Sequence, residues 1–205
     1  MRSIQRKQVS WRGPIIFGVV LVAVIVLVCA AIYFASRSSG GYTAVKLQPA
    51  REKFPDIQVD KLSPLRARAV NILRQQYDNP QPGSFYSQGE RQDWCANFVS
   101  WVSRQAGAPL TNPHSGGWRI PGVRSLETYY RNAGKFRAAN SGYQLQPGDA
   151  IMYDNASLHG EHVNFVLKYD NGKVTTIGGN EGGVINIQQS DLSRDGPIRG
   201  FGLLE

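Results

Sequence analysis

The residue in this chain with the clearest capacity for chemistry is Cys95. The sequence holds only two cysteines. The other, Cys29, is embedded in an apolar run, so a disulfide between them fails on geometry. A lone reduced thiol is a candidate nucleophile, set against the alternative of a buried structural cysteine. Its reactive form is the thiolate, which a helix N-terminus stabilises. Such a nucleophile needs a base within hydrogen-bond reach, and the chain has only three histidines. His114 lies in the loop 112–117 and His159 in the turn 157–160, where a surface or packing role is the commoner reading. His162 opens the stretch Val163-Asn164-Phe165-Val166, and a base on a strand end is better fixed than one on a loop tip. His162 therefore leads, with His159 as the fallback.

A third residue should orient the imidazole. The strand after His162 ends in Gly178-Gly179-Asn180-Glu181, and an antiparallel neighbour can bring that end beside the histidine. Asn180 can accept the imidazole N–H through its side-chain oxygen, and Glu181 is the charged substitute. A glycine-rich turn with Asn serving the backbone is the alternative. Taken in chain order, Cys at a helix start, His at a strand start and Asn after the next strand follow a nucleophile–base–orienter logic.

The elements that must hold these residues are legible in outline. Ser63-Pro64 is a helix start, with Ser as cap and Pro in the first turn. Leu65, Ala69, Val70, Leu73 and Tyr77 follow at helical spacing, and the helix should stop before Pro80. A loop rich in Gly, Pro, Ser and Gln runs over 80–92. A second helix begins at Asp93 or Trp94 and closes near Gly107, and a shorter one covers 123–133. After residue 145 the pattern turns to short β-branched and aromatic runs at 149–153, 163–169, 173–177, 184–188 and 198–203. Asp170-Asn171-Gly172 marks a tight hairpin. Helices followed by antiparallel strands predict an α+β domain and exclude a doubly wound sheet.

With 41% hydrophobic and 19% charged residues among 205, the chain reads as one globular domain with an extension. The formal charge of +8 is unevenly placed: residues 1–50 carry six bases and no acid. The basicity belongs mainly to the N-terminus, which argues against nucleic-acid binding. Residues 14–35 are 22 uncharged, mostly apolar residues, about the length that spans a bilayer and long for a cleaved signal. Arg2, Arg6, Lys7 and Arg12 precede this span and predict a cytoplasmic N-terminus with the rest exported. The expected plan is a cytoplasmic segment 1–13, one transmembrane helix 14–35, a linker 36–62 and a catalytic domain 63–205. Secretion after signal cleavage is the alternative.

Four segments resemble one family. They are Asp93-Trp94-Cys95-Ala96-Asn97-Phe98-Val99-Ser100-Trp101, Pro147-Gly148-Asp149-Ala150, His162-Val163-Asn164-Phe165-Val166 and Gly179-Asn180. Together they look like CHAP domains, the cysteine, histidine-dependent amidohydrolase/peptidases of bacterial and phage wall-degrading enzymes. The resemblance covers roughly residues 64–205. It implies a papain-like α+β fold, cleavage of an amide bond of peptidoglycan as an N-acetylmuramoyl-L-alanine amidase or an endopeptidase, and neither metal nor cofactor. Cys95, His162 and Asn180 match the family's nucleophile, base and orienter. Some members carry a Glu two residues before that Asn, where this chain has Gly178. The expected oxyanion donors are the Cys95 N–H with Gln92 or Tyr86, and Trp94 and Trp118 are expected to line a substrate groove. Peptidoglycan is the expected partner, with the membrane bound through the N-terminal helix and any envelope assembly partner unspecified. A non-catalytic wall-binding or secretion-scaffold module on a degenerate fold of this type is the competing reading.

Overall fold

Ser63 starts the first helix as its side chain predicts, its Oγ accepting the Arg66 N–H at 3.3 Å. This helix, α1, runs Pro64–Asp78 and buries Ala69, Val70, Leu73 and Tyr77 before Pro80 stops it. A computed structural model describes residues 51–205 of the chain. The loop expected over 80–92 contains a short helix α2, Gly83–Tyr86. Helix α3, Cys95–Ala106, ends at Gly107, whose φ of 93° is the left-handed cap that glycine accepts most readily. Helix α4 spans Val123–Asn132.

The sheet has six strands: β1 Phe136–Arg137, β2 Ala150–Tyr153, β3 His162–Asp170, β4 Lys173–Glu181, β5 Val184–Asp191 and β6 Ile198–Gly202. Their order is β1-β6-β2-β3-β4-β5, with every neighbouring pair antiparallel. The domain is therefore α+β, helices on an antiparallel sheet. The two-residue β1 is an addition to the expected strands, and β4 and β5 extend beyond their expected ends. Ala150, Met152, Val163, Phe165 and Ile177 pack with Val70, Leu73, Phe98 and Val99 in the main core. Ile151, Tyr153, Val166 and Val174 pack with Leu145 and Phe201 in a second cluster. Alternation along β2 and β3 thus assigns the two faces, and His162 and Asn164 share one side of β3.

Residues 51–62, expected as linker, belong to the packed unit. Phe54 is buried and sits 6.0 Å from the Tyr77 ring, and Val59–Lys61 form a 3₁₀ turn whose Val59 joins the core. The expected cytoplasmic segment, transmembrane helix and tether lie outside the described residues. Among the described residues no helix is long and apolar enough to cross a membrane.

A buried ion pair fixes α1 to the sheet. Arg66 Nη1 lies 2.9 Å from Asp149 Oδ1, with both side chains almost fully enclosed. Asp149 also accepts from Tyr143 Oη, the Gln146 N–H and the Leu204 N–H, so its carboxylate is fully committed. Asp149→Ala would leave the buried Arg66 charge with only the more exposed Glu205 carboxylate, 3.5 Å away, and a loss of about 3 kcal/mol in unfolding free energy is expected. Urea unfolding monitored by tryptophan fluorescence reads this directly; a loss below about 1 kcal/mol would show the pair to be incidental.

Candidate active site

Cys95 is the first residue of α3, and Trp94 precedes it as the cap residue. No side chain caps this N-terminus and no acid lies in its first turn. The first-turn N–H groups and the positive end of the helix therefore act on the thiol without a competing anion in that turn. Cys95 is a free thiol with little exposed surface. Phe98, Val99 and Val102, one and two turns on, are fully buried, so the helix start stands on a rigid base.

Trp94 does not line a groove; it is 6% exposed. Its indole stacks on Tyr86 at 5.3 Å and 11°, in space that Gly83 and Gly179 leave by having no side chain. A Cβ on Gly179 would collide with the Trp94 ring and approach Phe98 Cβ at 2.8 Å. Tyr86 is equally committed, donating to Gln76 Oε1 at 2.6 Å, and burial pushes its hydroxyl up to about 12. That hydroxyl serves the core and is not offered to a substrate. Gln92 is exposed just ahead of α3. Trp118 is half-buried on the loop after α3, with the Arg104 guanidinium 4.8 Å from its ring centroid.

His162 opens β3 opposite Tyr153 of β2. Its Nε2 lies 2.9 Å from Glu181 Oε1, both side chains about one-tenth exposed. With Nε2 committed to Glu181, Nδ1 is the nitrogen left for the Cys95 thiol. Burial alone would disfavour the imidazolium, but hydrogen bonds and charge interactions with Cys95 and Glu181 outweigh it and raise the His162 pKa to about 10. Burial likewise works against the Glu181 carboxylate. The bond and charge of His162, aided by Asn164, overcome this and hold Glu181 below its usual value. The trio is arranged to keep the imidazole protonated beside a thiol at neutral pH.

The structure sets Glu181 against the imidazole, whereas the expected orienter was Asn180. The reason is a β-bulge. Gly178 pairs with Asn186 and Glu181 with Val184, so three steps along β4 match two along β5. The extra residue inverts the alternation of faces: Gly178 and Glu181 share one face, and a Cβ on Gly178 would lie 2.9 Å from Glu181 Oε1. Asn180 adopts φ 65° at the bulge, and its Nδ2 donates to Asp93 Oδ1 at 2.9 Å. Asn is among the residues that tolerate this left-handed conformation. Asn180 therefore ties the bulge to the residues ahead of α3. The Gly178-Gly179 pair inside a strand was the signal for such a bulge.

The other histidines make different contacts. His159 Nε2 is 3.5 Å from Asp195 Oδ1, and its ring lies 4.3 Å from that of Tyr153. His114 is exposed on its loop. Two residues beside the trio carried no sequence expectation: Asn164, whose Nδ2 donates to Glu181 Oε1 at 2.8 Å, and Gln188, which donates to Glu181 Oε2.

Residues 86–180 match the model of the CHAP domain. This part of the chain is a CHAP domain. A domain of this kind implies cysteine-dependent hydrolysis as the chemistry of this segment. The match ends one residue before Glu181, so the carboxylate beside His162 lies just outside it. No curated protein matches the sequence. One solved structure, described as "The crystal structure of Ly7917 with the hydrolyzing product of MDP", aligns with a TM-score of 0.39 and 18% identity. The alignment covers 52% of this chain and 51% of that one, so the chain spans about half the length of that protein.

Proposed function

We propose that this CHAP domain hydrolyses an amide bond of peptidoglycan, as a muramoyl-alanine amidase or an endopeptidase, and acts outside a membrane that residues 14–35 anchor it to. The observation that carries the chemistry is the buried His162–Glu181 pair facing a free cysteine at an uncapped helix start. In this reading the Cys95 thiolate attacks the amide carbon and forms a tetrahedral oxyanion. The His162 imidazolium then gives its proton to the leaving amine, and a thioester remains. Neutral His162 takes a proton from water, the hydroxide adds to the thioester, and the acid departs as Cys95 regains its thiolate. The Cys95 backbone N–H, at the helix start, is one donor to the oxyanion, and Gln92 is positioned by sequence to supply another. Glu181 keeps the imidazole aimed and charged, and Asn180 steadies the segment ahead of Cys95.

Leu158 and Val184 support a substrate with an apolar peptide part. Both are well exposed, on the β2–β3 loop and just after Glu181, at the end of the sheet where His162 lies. Anchoring rests on the uncharged span and the basic residues before it. The test is digestion of purified cell wall by the purified protein, with mass spectrometry of the soluble fragments. An amidase frees the lactyl carboxyl of the sugar and the alanine amine. An endopeptidase yields a new amine within the stem or cross-bridge. Intact wall after exhaustive incubation, with Cys95 reacting no faster than an ordinary thiol, would sink the proposal and favour a non-catalytic wall-binding or scaffold module.

A further inference from the structure

Glu181 is held by more than the histidine. Its Oε1 accepts from both His162 Nε2 at 2.9 Å and Asn164 Nδ2 at 2.8 Å, and its Oε2 accepts from Gln188 Nε2. Asn164 is fully buried on β3, two residues from His162 and on the same face. It also contacts Thr176 Oγ1 at 3.4 Å. Its own Oδ1 has no hydrogen-bond partner. The side chain occupies space that only a glycine at 178 leaves open, because a Cβ there would collide with Asn164 Oδ1. A buried amide with an unsatisfied oxygen costs free energy. Its retention at this point, aimed at the carboxylate that meets the imidazole, indicates a task beyond packing.

We propose that Asn164 and Gln188 are positioning residues of the hydrolytic site, which hold Glu181 by both carboxylate oxygens so that it receives the His162 imidazole. This rests on the reading of Cys95, His162 and Glu181 given above. The two amides act on the anion from opposite ends, fixing its plane and favouring its ionised form. The titratable groups that face Glu181 are His162 from β3, His159 from the β2–β3 loop and Tyr153 from β2. The first two favour its charge; Tyr153 is itself held neutral by burial.

Isosteric changes remove a donor and add a like charge. In Asn164→Asp, two carboxyl groups share the space around Oε1 and one proton is held between them, so Glu181 protonates at higher pH. Gln188→Glu does the same from the half-exposed side of the carboxylate and is the safer fold. The measurement is the rate of Cys95 alkylation by iodoacetamide against pH in the full chain, with circular dichroism confirming the fold. Wild type should be alkylated at Cys95 faster than a free thiol at neutral pH. Each variant should move the acid limb up by about 1 pH unit or more, whereas a structural perturbation would lower the rate evenly at all pH values. An unshifted limb in folded Gln188→Glu and Asn164→Asp, over a normal wild-type limb, overturns this inference alone. If Asn164→Asp does not fold, Gln188→Glu decides by the same criterion. A wild-type thiol without enhanced reactivity overturns the reading of the trio itself.

Discussion

Cys95→Ala is expected to abolish the proposed hydrolysis of peptidoglycan, with a loss on the order of 10⁵-fold, while the fold is retained. The reason is that no other side chain can replace the covalent step. Among the described residues Cys95 is the free thiol, and the alternative of a metal-free water attack leaves the imidazolium of His162 without a nucleophile to pair with. Because His162 is raised to about 10, its imidazole stays protonated across neutral pH, and activity should fall as pH rises through that value. The deprotonated imidazole can no longer protonate the leaving amine. Alanine fits the site because the thiol is small and α3 is anchored by residues further along it. Measurements of muropeptide release and of far-ultraviolet circular dichroism separate the two outcomes. Full residual activity in the folded variant would exclude a cysteine nucleophile.

Glu181→Gln is expected to lower kcat/KM by roughly 10²–10⁴-fold, and Asn180→Ala by less than about 10-fold. The difference follows from the β4 bulge. Glu181 meets His162 Nε2 directly, and its charge is what the imidazolium is stabilised against. Glutamine at 181 is nearly isosteric, but it removes the charge and allows a donor to face the ring, which favours the wrong tautomer. Asn180 meets Asp93 instead, so its loss loosens the loop ahead of α3 without touching the imidazole. A structural role for Glu181 would lower stability more than catalysis; thermal unfolding of the same variants distinguishes these. If Asn180→Ala proves the more damaging of the two, the assignment of the orienting residue from the bulge is wrong.

The path from sequence to site was uneven for physical reasons. The start of α1 at Ser63-Pro64 and the Gly107 cap were legible because capping is local chemistry, settled within one turn of chain. Cys95 and His162 were legible because few residue types can act as a nucleophile or base, and their positions on a helix start and a strand start follow from short-range patterns. Sequence alone suggests Trp94 as a groove residue and Tyr86 as an oxyanion donor. An aromatic beside a nucleophile looks the same in sequence whether it faces substrate or core, and their burial depends on Gly83 and Gly179 leaving room from distant parts of the chain. Weak periodicity before residue 63 hides the packing of this segment, and Phe54 shows why: one aromatic docked on α1 needs no period.

The amino-acid sequence by itself determined the class of the domain, helices before antiparallel strands, and pointed to a lone thiol with His162 as its leading partner and His159 as the fallback. The tertiary structure decided which neighbour turns the histidine into a charged partner. Strand alternation favours Asn180 as the residue on the His162 face. One extra residue in β4 relative to β5 shifts that parity and delivers Glu181, with Asn164 and Gln188 closing on its carboxylate from β3 and β5. A bulge is a property of two paired strands, and its register exists only once both are in place.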